Sequence, residues 1–201
     1  MPSQQIPGSA TASAGFILAG GKSSRLGVEK AFLEFGGRTL LDRALALMRE
    51  ACGEAAIVGD PEKFASYGAV VTDLYRNCGP LGGIHAALLQ SSADLNLMVA
   101  VDMPFVSGEL LAFLLATATT SDAVVVVPRT ARGFQPLCAV YRRAFAAAAD
   151  EALRAGKYKI DAVFSRVPVR MIGEDELERA GFSERIFFNI NTPDDLRAAQ
   201  E

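Results

Sequence analysis

Short apolar runs alternate along the chain with longer stretches in which apolar residues recur every three or four positions. The short runs predict buried strands, and the longer stretches predict helices. Predicted strands cover residues 16–19, 55–58, 69–71, 95–101 and 123–127. Predicted helices between them cover residues 39–52, 81–89 and 109–118. Because these strands are apolar throughout, we expect a mainly parallel sheet with helices on both faces.

The last third of the chain is less regular. It contains a predicted strand at 137–141, a helix at 143–153, a strand at 167–172 and a final helix that begins at Pro193. No repeat or low-complexity linker separates these elements from the earlier ones. The sequence therefore predicts the α/β class: a single three-layer domain over residues 15–201 with a mainly parallel, Rossmann-like sheet, and a flexible tail over residues 1–14.

The composition excludes several function classes. Half of the 201 residues are apolar and 21% are charged, which is typical of a globular domain and not of a disordered chain. The net charge of −3 lacks the basic excess of a protein that coats nucleic acid. No apolar run reaches the roughly 18 residues of a membrane span, and the first residues do not resemble a signal peptide. Three widely spaced cysteines without a Cys-x-x-Cys pair favour a reducing compartment, so we expect a cytoplasmic protein.

The loop after the first predicted strand carries the most informative residues. Gly20 and Gly21 let the backbone approach a ligand closely, and Lys22, Arg25 and Lys30 add positive charge, so the loop is suited to a phosphate. Its spacing fits neither a Walker A loop nor a dinucleotide-binding fingerprint. The alternative interpretation is a tight turn with solvated basic residues.

Asp102 ends the apolar strand 95–101, a position from which a carboxylate can hold a divalent cation against phosphates. The alternative is that Asp102 caps the next helix or its turn. If the first four strands take the order 3-2-1-4, Asp102 and the basic loop lie beside the same crevice. Together they predict a site for Mg²⁺ and a nucleoside triphosphate.

Two further segments are candidates for ligand contacts. Asp73 follows the third predicted strand, and the turn at 79–83, which contains Gly82, has backbone amides suited to a base or ribose. The alternative for this turn is a simple helix start with Pro80 near its first turn. The polar run at 189–192 is best interpreted locally as a capping turn of the final helix.

Five motifs together resemble the molybdenum cofactor guanylyltransferases across nearly the whole chain. They are Leu-Ala-Gly-Gly-Lys-Ser-Ser-Arg-Leu-Gly from Leu18 with Glu29-Lys30, Gly-Pro-Leu-Gly-Gly from Gly79, Val-Asp-Met-Pro-Phe from Val101, Gln-Pro-Leu-Cys-Ala-Val-Tyr from Gln135 and Asn-Ile-Asn-Thr-Pro-Asp-Asp-Leu from Asn189. The first and third are shared with the wider nucleotidyltransferase superfamily and so specify fold and reaction more than substrate. The double glycine of the first motif and the second motif resemble the guanylyl branch more than the cytidylyl branch.

The resemblance implies roles for individual residues. It places GTP on Leu18, Ala19, Gly20 and Lys30, directs Asp73 toward the nucleotide and puts Asp102 on both nucleotide and Mg²⁺. From the glycine-rich turns, Gly21 and Gly82 complete the predicted nucleotide contacts, and Arg25 joins Lys30 and Asp102 as a predicted catalytic residue. The family often has an Asn after the second strand, where Asp60 is the candidate replacement. The candidates for pterin contacts in the later part of the chain are Gln135, Lys157, Lys159, Asn189 and Asn191.

The implied reaction is Mg²⁺-dependent transfer of GMP from GTP to the terminal phosphate of molybdopterin, with release of pyrophosphate. The implied partners are GTP, molybdopterin, cofactor-insertion proteins and molybdoenzyme chaperones, with neither nucleic acid nor membrane. The alternative in the same class is a cytidylyltransferase that acts on this pterin or on another phosphorylated metabolite. The alternatives from other classes are a dinucleotide-binding oxidoreductase and a carrier that binds the pterin without chemistry.

Overall fold

The structure of the chain is a computed structural model, which describes residues 13–20, 30–75 and 77–200. Most of the expected tail lies outside the described residues, as do residues 21–29, which include Gly21 and Arg25. The first strand begins at Ser13, two residues before the expected start of the domain, because its parallel pairing with the fourth predicted strand already starts there.

The described part of the chain contains a sheet of eight strands and a separate two-stranded hairpin. The strands are β1 (Ser13–Leu18), β2 (Glu34–Phe35), β3 (Arg38–Thr39), β4 (Ala55–Val58), β5 (Ala69–Val71), β6 (Leu95–Ala100), β7 (Val125–Thr130), β8 (Gly133–Phe134), β9 (Cys138–Arg142) and β10 (Val169–Ile172). Each predicted strand is present, with ends that differ by at most three residues. The strands β2, β3 and β8 were not predicted, because two residues are too short for a periodic pattern.

Helices connect most of these strands. They are α1 (Leu40–Cys52), α2 (Pro61–Phe64), α3 (Pro80–Gln90), α4 (Gly108–Thr119), α5 (Phe145–Arg154), α6 (Glu174–Arg179) and α7 (Pro193–Gln200). Shorter 3₁₀ helices cover Lys30–Phe32, Asp161–Arg166 and Glu184–Phe187. The predicted helices are confirmed, whereas α2 and α6 are too short to have been recognised. Within the described ranges, none of the helices combines the length and the apolar composition needed to cross a membrane.

The eight-stranded sheet has the order β10-β7-β9-β6-β1-β4-β5, with β8 paired to β7. Its pairs are parallel except those that β9 makes with β6 and β7, and the pair of β8 with β7. The first four predicted strands correspond to β1, β4, β5 and β6, and they have the order 3-2-1-4 that a shared crevice for Asp102 and the basic loop requires. The carboxyl ends of these four strands therefore meet at one edge of the sheet.

Side chains along the central strands alternate between two hydrophobic cores. In β1, Ile17 packs into the core formed with α1 and α4. Its neighbours Phe16 and Leu18 pack into the opposite core, formed with α3 and α5. This alternation gives the three layers expected from the sequence, with the sheet buried on both faces.

Capping residues account for the ends of the two helices on one face. Thr39 precedes α1, and its side chain accepts a hydrogen bond from the backbone N–H of Asp42 at 3.0 Å. Gly53 ends α1 with φ of 78°, which suits glycine. Ser107 caps α4 by accepting from the N–H of Leu110 at 3.3 Å. Ser107 thus takes the capping role that was the alternative interpretation of Asp102.

Arg142, the last residue of β9, joins the end of α4 to the sheet. Its guanidinium donates to the carbonyl oxygens of Ala118 (3.1 Å), Ser121 (2.8 Å) and Ala123 (3.0 Å), and it forms an ion pair with Asp94. These contacts give hydrogen-bond donors to carbonyl groups at and beyond the carboxyl end of a helix, where intrahelical donors run out. A planar group with several fixed donors is required for them to form together.

We therefore expect Arg142→Lys to lower the free energy of unfolding by about 2 kcal/mol, since a single ammonium cannot reach all three carbonyl groups. Denaturant titration followed by circular dichroism measures this change. The matched control is Arg143→Lys, because Arg143 is the exposed neighbour, and its effect is expected to stay within about 0.5 kcal/mol. Equal stabilities of the two variants would contradict the role of Arg142.

Candidate active site

A cavity of about 580 Å³ lies at the carboxyl ends of β1, β4, β5 and β6. In open α/β sheets this edge, where the strand order reverses, is the usual place for a ligand. Six of the residues predicted to bind the nucleotide line the cavity: Leu18, Ala19, Gly20, Lys30, Asp73 and Asp102. The sheet therefore assembles residues that are far apart in the sequence.

The pairing of β1 with its two neighbours sets the floor of the cavity. Leu18 lies opposite Ala100 of β6, and the N–H of Val101 donates to the carbonyl of Leu18 at 3.1 Å. On the other side, the N–H groups of Ala19 and Gly20 both donate to the carbonyl of Val58, at 3.0 and 3.1 Å. These two amides hold β1 against β4, so their donors are already used within the protein.

Lys30 and Asp102 form an ion pair at the cavity, with 2.8 Å between Nζ and Oδ2. The two side chains are only 22% and 16% exposed, although they stand 72 positions apart in the sequence. A partly desolvated ammonium beside a carboxylate can stabilise negative charge on a bound phosphate and hold a cation at the same place. This ion pair joins Lys30, the last residue of the basic loop, to the carboxylate of Asp102 after β6. The sequence predicted that these two residues lie beside the same crevice.

Asp73 lies between β5 and α3 and faces the same cavity. Its Oδ1 atom is buried and has no hydrogen-bond partner among the described residues. Burial raises the pKa of the Asp73 carboxyl above its ordinary value. A buried acceptor without a donor is costly to keep, which makes Asp73 a candidate to accept hydrogen bonds from a ligand.

The turn before α3 lines the cavity with backbone atoms rather than side chains. Gly79 has φ of 66° and caps α3 without any side-chain hydrogen bond. A Cβ on Gly83 would lie 3.0 Å from Cγ1 of Val58 and 3.3 Å from Oδ1 of Asp73. Gly83 therefore leaves space beside the carboxylate. A Cβ on Gly82 would instead lie 3.0 Å from the carbonyl of Tyr75, so the predicted Gly82 packs beneath the preceding loop.

Several residues that line the cavity were not predicted from the sequence, including Val58, Asn77, Gly83 and Leu137. Gly83 and Leu137 belong to motifs that were recognised, but nothing in their spacing indicated which motif residue would face the cavity. Asn77 has φ of 62°, a left-handed conformation that Asn tolerates in turns. No sequence signal pointed to Asn77, because its position depends on how the loop returns to α3.

Asp60, the expected replacement for a family Asn, has a local role. It precedes α2, and its Oδ1 accepts a hydrogen bond from the backbone N–H of Glu62 at 3.0 Å. The residue of β4 that lines the cavity is Val58. Gly21 and Arg25, which were also expected at the site, lie outside the described residues.

Of the two predicted pterin residues near the carboxyl terminus, Asn191 contacts the ion pair and Asn189 has a local partner. Asn191 accepts a hydrogen bond from Nζ of Lys30 at its Oδ1, over 2.6 Å. Asn189 donates from its side chain to the carbonyl of Phe187 at 2.9 Å. Between them, the backbone N–H of Ile190 donates to the carbonyl of Asp102 at 2.9 Å. The segment predicted as a simple capping turn therefore also docks on the active-site strand.

The other three pterin candidates are held at different places. Gln135 donates to Oγ1 of Thr130 at 3.2 Å and orients the turn that precedes β9. Lys157 and Lys159 are exposed on either side of Tyr158, whose side chain hydrogen-bonds with that of Cys78. Cys78 belongs to the loop that brings Asn77 and Gly79 to the cavity. The two lysines therefore flank a contact with this loop, whereas Asn191 contacts Lys30.

The oxygen chemistry at Asp102 fits a magnesium ion. Mg²⁺ prefers oxygen ligands and is commonly bound by one or two carboxylates together with the phosphates of a substrate. Among the described residues, no group of three or more His, Cys, Asp or Glu side chains is arranged to hold a metal. Asp102, beside the phosphate-suited end of the cavity, is the residue that would hold the ion.

Comparison with known proteins identifies the family of the chain. The model of the MobA-like NTP transferase domain matches residues 15–171. A protein of Pelotomaculum thermopropionicum named "Probable molybdenum cofactor guanylyltransferase" is 40% identical over 92% of this chain and 91% of its own length. The molybdenum cofactor guanylyltransferase of Desulfosudis oleivorans is 35% identical over 92% of this chain and 93% of its own.

Solved structures show the same architecture. Molybdopterin-guanine dinucleotide biosynthesis protein A of Archaeoglobus fulgidus superposes with a TM-score of 0.79 and 29% identity, over 93% of this chain and 96% of that chain. A 2-C-methyl-D-erythritol 4-phosphate cytidylyltransferase from Thermus thermophilus superposes with a TM-score of 0.67 over 92% of this chain and 96% of its own. At 22% identity this second likeness concerns the fold alone.

Replacement of Asp73 tests whether its buried carboxylate serves a ligand. We expect Asp73→Asn to stabilise the unliganded protein near neutral pH, because it removes a desolvated charge, and to weaken nucleotide binding about 10-fold or more. The wild type gains stability as pH falls from the raised pKa of Asp73 toward about 3.9, its unfolded value, so the difference between the two proteins shrinks there.

Thermal unfolding across pH and calorimetric titration with nucleotide measure these two effects. The control is Asp122→Asn, because Asp122 is exposed on the surface. Loss of stability in Asp73→Asn near neutral pH, or unchanged nucleotide binding, would contradict the role of Asp73.

Proposed function

Because the chain belongs to the MobA-like NTP transferase domain family and is a nucleotidyltransferase, we propose that it transfers GMP from GTP to the terminal phosphate of molybdopterin. Pyrophosphate is released, and the product is the guanine dinucleotide form of the molybdenum cofactor. The relatives that are 40% and 35% identical carry molybdenum cofactor guanylyltransferase in their names. The observation that carries the proposal is the ion pair of Lys30 and Asp102 in a cavity of nucleotide size.

The proposed chemistry needs positioning more than acid–base catalysis. The terminal phosphate of the pterin is a monoester, which is already an anionic nucleophile near neutral pH and can attack the α-phosphate of GTP in line. Most of the barrier must then be lowered by alignment and by neutralisation of charge. The ammonium of Lys30 offsets charge on the α-phosphoryl oxygens, and Arg25 is proposed to assist it.

The nucleotide is proposed to lie along the edge of the sheet. Its phosphates lie at Lys30 and Asp102, beside the turn of Gly20 and Gly21. Its base or ribose lies against Asp73 and the segment 79–83, which contains Gly82 and the start of α3, because the buried Oδ1 of Asp73 has no donor among the described residues. Asp102 would hold Mg²⁺, which supplies Lewis-acid stabilisation of the phosphoryl oxygens.

The pterin is proposed to approach from the rim, with contacts from Gln135, Lys157, Lys159, Asn189 and Asn191. The lysines would offset the charge of its phosphate, and the amides can match the hydrogen-bonding edges of a pterin ring. The reaction is proposed to take place in the cytoplasm. Its product is proposed to pass to cofactor-insertion proteins and molybdoenzyme chaperones. Neither nucleic acid nor a membrane has a part in it.

Binding of nucleotides is the direct test of the proposal. Calorimetric titration of the purified protein with GTP, CTP and ATP, with and without Mg²⁺, is expected to show selective binding of GTP that Mg²⁺ strengthens. Anaerobic incubation with molybdopterin is then expected to release pyrophosphate. Preference for CTP would indicate the cytidylyl alternative, and binding of pterin without release of pyrophosphate would indicate a carrier.

Single replacements test the two central residues. Removal of one preorganised group that stabilises the transition state typically lowers the rate about 10²-fold to 10³-fold. We expect losses of that order for Lys30→Ala and for Asp102→Asn in the transfer assay, with folding intact by circular dichroism. The controls are Lys63→Ala and Asp122→Asn, at exposed positions outside the cavity. Wild-type turnover by either central variant would exclude that residue from the chemistry.

A further inference from the structure

Among the residues that the structure describes, Lys30 has two hydrogen-bond partners, and the second comes from the carboxyl-terminal segment. Its ammonium lies 2.8 Å from Oδ2 of Asp102 and 2.6 Å from Oδ1 of Asn191. An ammonium has three N–H donors, of which these contacts use two. One partner is charged and lies where a metal would bind, whereas the other is a neutral amide oxygen. The two partners therefore respond differently when a nucleotide enters.

The segment that carries Asn191 is fixed at both ends. The backbone N–H groups of Asn191 and Thr192 both donate to Oδ2 of Asp195, at 2.9 and 2.8 Å. In return, the N–H of Asp195 donates to Oγ1 of Thr192 at 3.1 Å, which makes a reciprocal cap at the start of α7. The hydrogen bond from Asn191, followed by others from Thr192, lowers the pKa of Asp195. This carboxylate therefore remains a charged acceptor near neutral pH.

The preceding residue ties the segment to the active-site strand. Ile190 is fully buried, and its N–H donates to the backbone carbonyl of Asp102 at 2.9 Å. This contact uses the backbone of Asp102, so it persists when the carboxylate of the same residue changes partner. Asn191 is thus held at a constant position relative to the end of β6.

We propose that Asn191 is a positioning residue that holds the ammonium of Lys30 over the triphosphate, an assignment that rests on the proposed function. A lysine side chain loses rotamer entropy when it is fixed, so it stays in one place only where contacts hold it. If Asp102 alone held Lys30, the lysine side chain would become mobile once the carboxylate bound a metal instead. The neutral amide of Asn191 holds Lys30 without neutralising its positive charge, and it does so before any pterin binds.

A double-mutant cycle for Mg²⁺–GTP binding, without pterin, tests this role. Asn191→Ala is expected to weaken binding about five-fold, the scale of one lost hydrogen bond. In a Lys30→Met background, the same replacement is expected to have no further effect, because the group that it positions is gone. If the wild type prefers another nucleoside triphosphate, the cycle is run with that nucleotide, since the contact of Lys30 with phosphates does not depend on the base.

Two adjacent carboxylates offer a matched pair of variants. Asp195→Ala removes the acceptor that orders the segment, and it is expected to weaken binding with the same dependence on Lys30. Asp194 lies in the same first turn but pairs with Arg197 on the surface. Asp194→Ala is therefore expected to leave the affinity within about two-fold of the wild type.

The outcomes separate the inference from the proposed function. Wild-type affinity in Asn191→Ala would overturn it and leave Asn191 only its proposed contact with the pterin. An equal loss in the Lys30→Met background would also overturn it, because the effect would then be structural. Equal affinities of Asp195→Ala and Asp194→Ala would overturn the anchoring by Asp195. Failure of the wild type to bind any triphosphate would overturn the proposed function together with this inference.

Discussion

The parallel pairing of β1 between β4 and β6 is the constraint on which the rest of the structure depends. Because parallel strands end at the same edge, the residues after β1, β4, β5 and β6 meet there, although they are spread over most of the first half of the chain. The register makes the ends level, since Leu18 lies opposite both Val58 and Ala100. The amides of Ala19 and Gly20 continue this pairing beyond the strand. They contribute to the shape of the cavity more than to its set of donors.

A second set of long-range contacts comes from the carboxyl-terminal part of the chain. The segment at Ile190 and Asn191 returns to β6, where its backbone joins that of Asp102 and its side chain reaches Lys30. Three stretches of sequence, around residues 30, 102 and 191, thereby surround one ammonium group. A charge held by several separate elements is fixed more firmly than one placed by a single flexible loop. The carboxyl-terminal segment is attached beside the ion pair through Ile190 and Asn191, and its capping turn orders the residues that make these contacts.

The site also retains features that ordinary folding would remove. Among the described residues, no donor reaches the buried Oδ1 atom of Asp73. Gly83 sits where a Cβ would press on both Val58 and Asp73, so a residue that is poor for a helix is found inside one. Local violations of this kind are expected where a protein reserves groups for a ligand. They occur on the same side of the cavity, which is the side proposed to receive the base or ribose.

The sequence by itself determined the α/β class, the positions of the main strands and helices, and the residues that follow the strands. Apolar periodicity acts locally, so the spacing of the apolar residues was sufficient for that purpose. Only the tertiary structure decided which of these residues meet. Asp60 and Asp73 both follow strands, yet one caps a short helix and the other faces the cavity with an oxygen that no described residue pairs. Likewise, nothing near Asn191 indicated that it would contact a lysine 161 positions away. Contacts between residues so far apart in the sequence depend on the order of the strands in the sheet and on where the chain returns to it. No local sequence pattern encodes either.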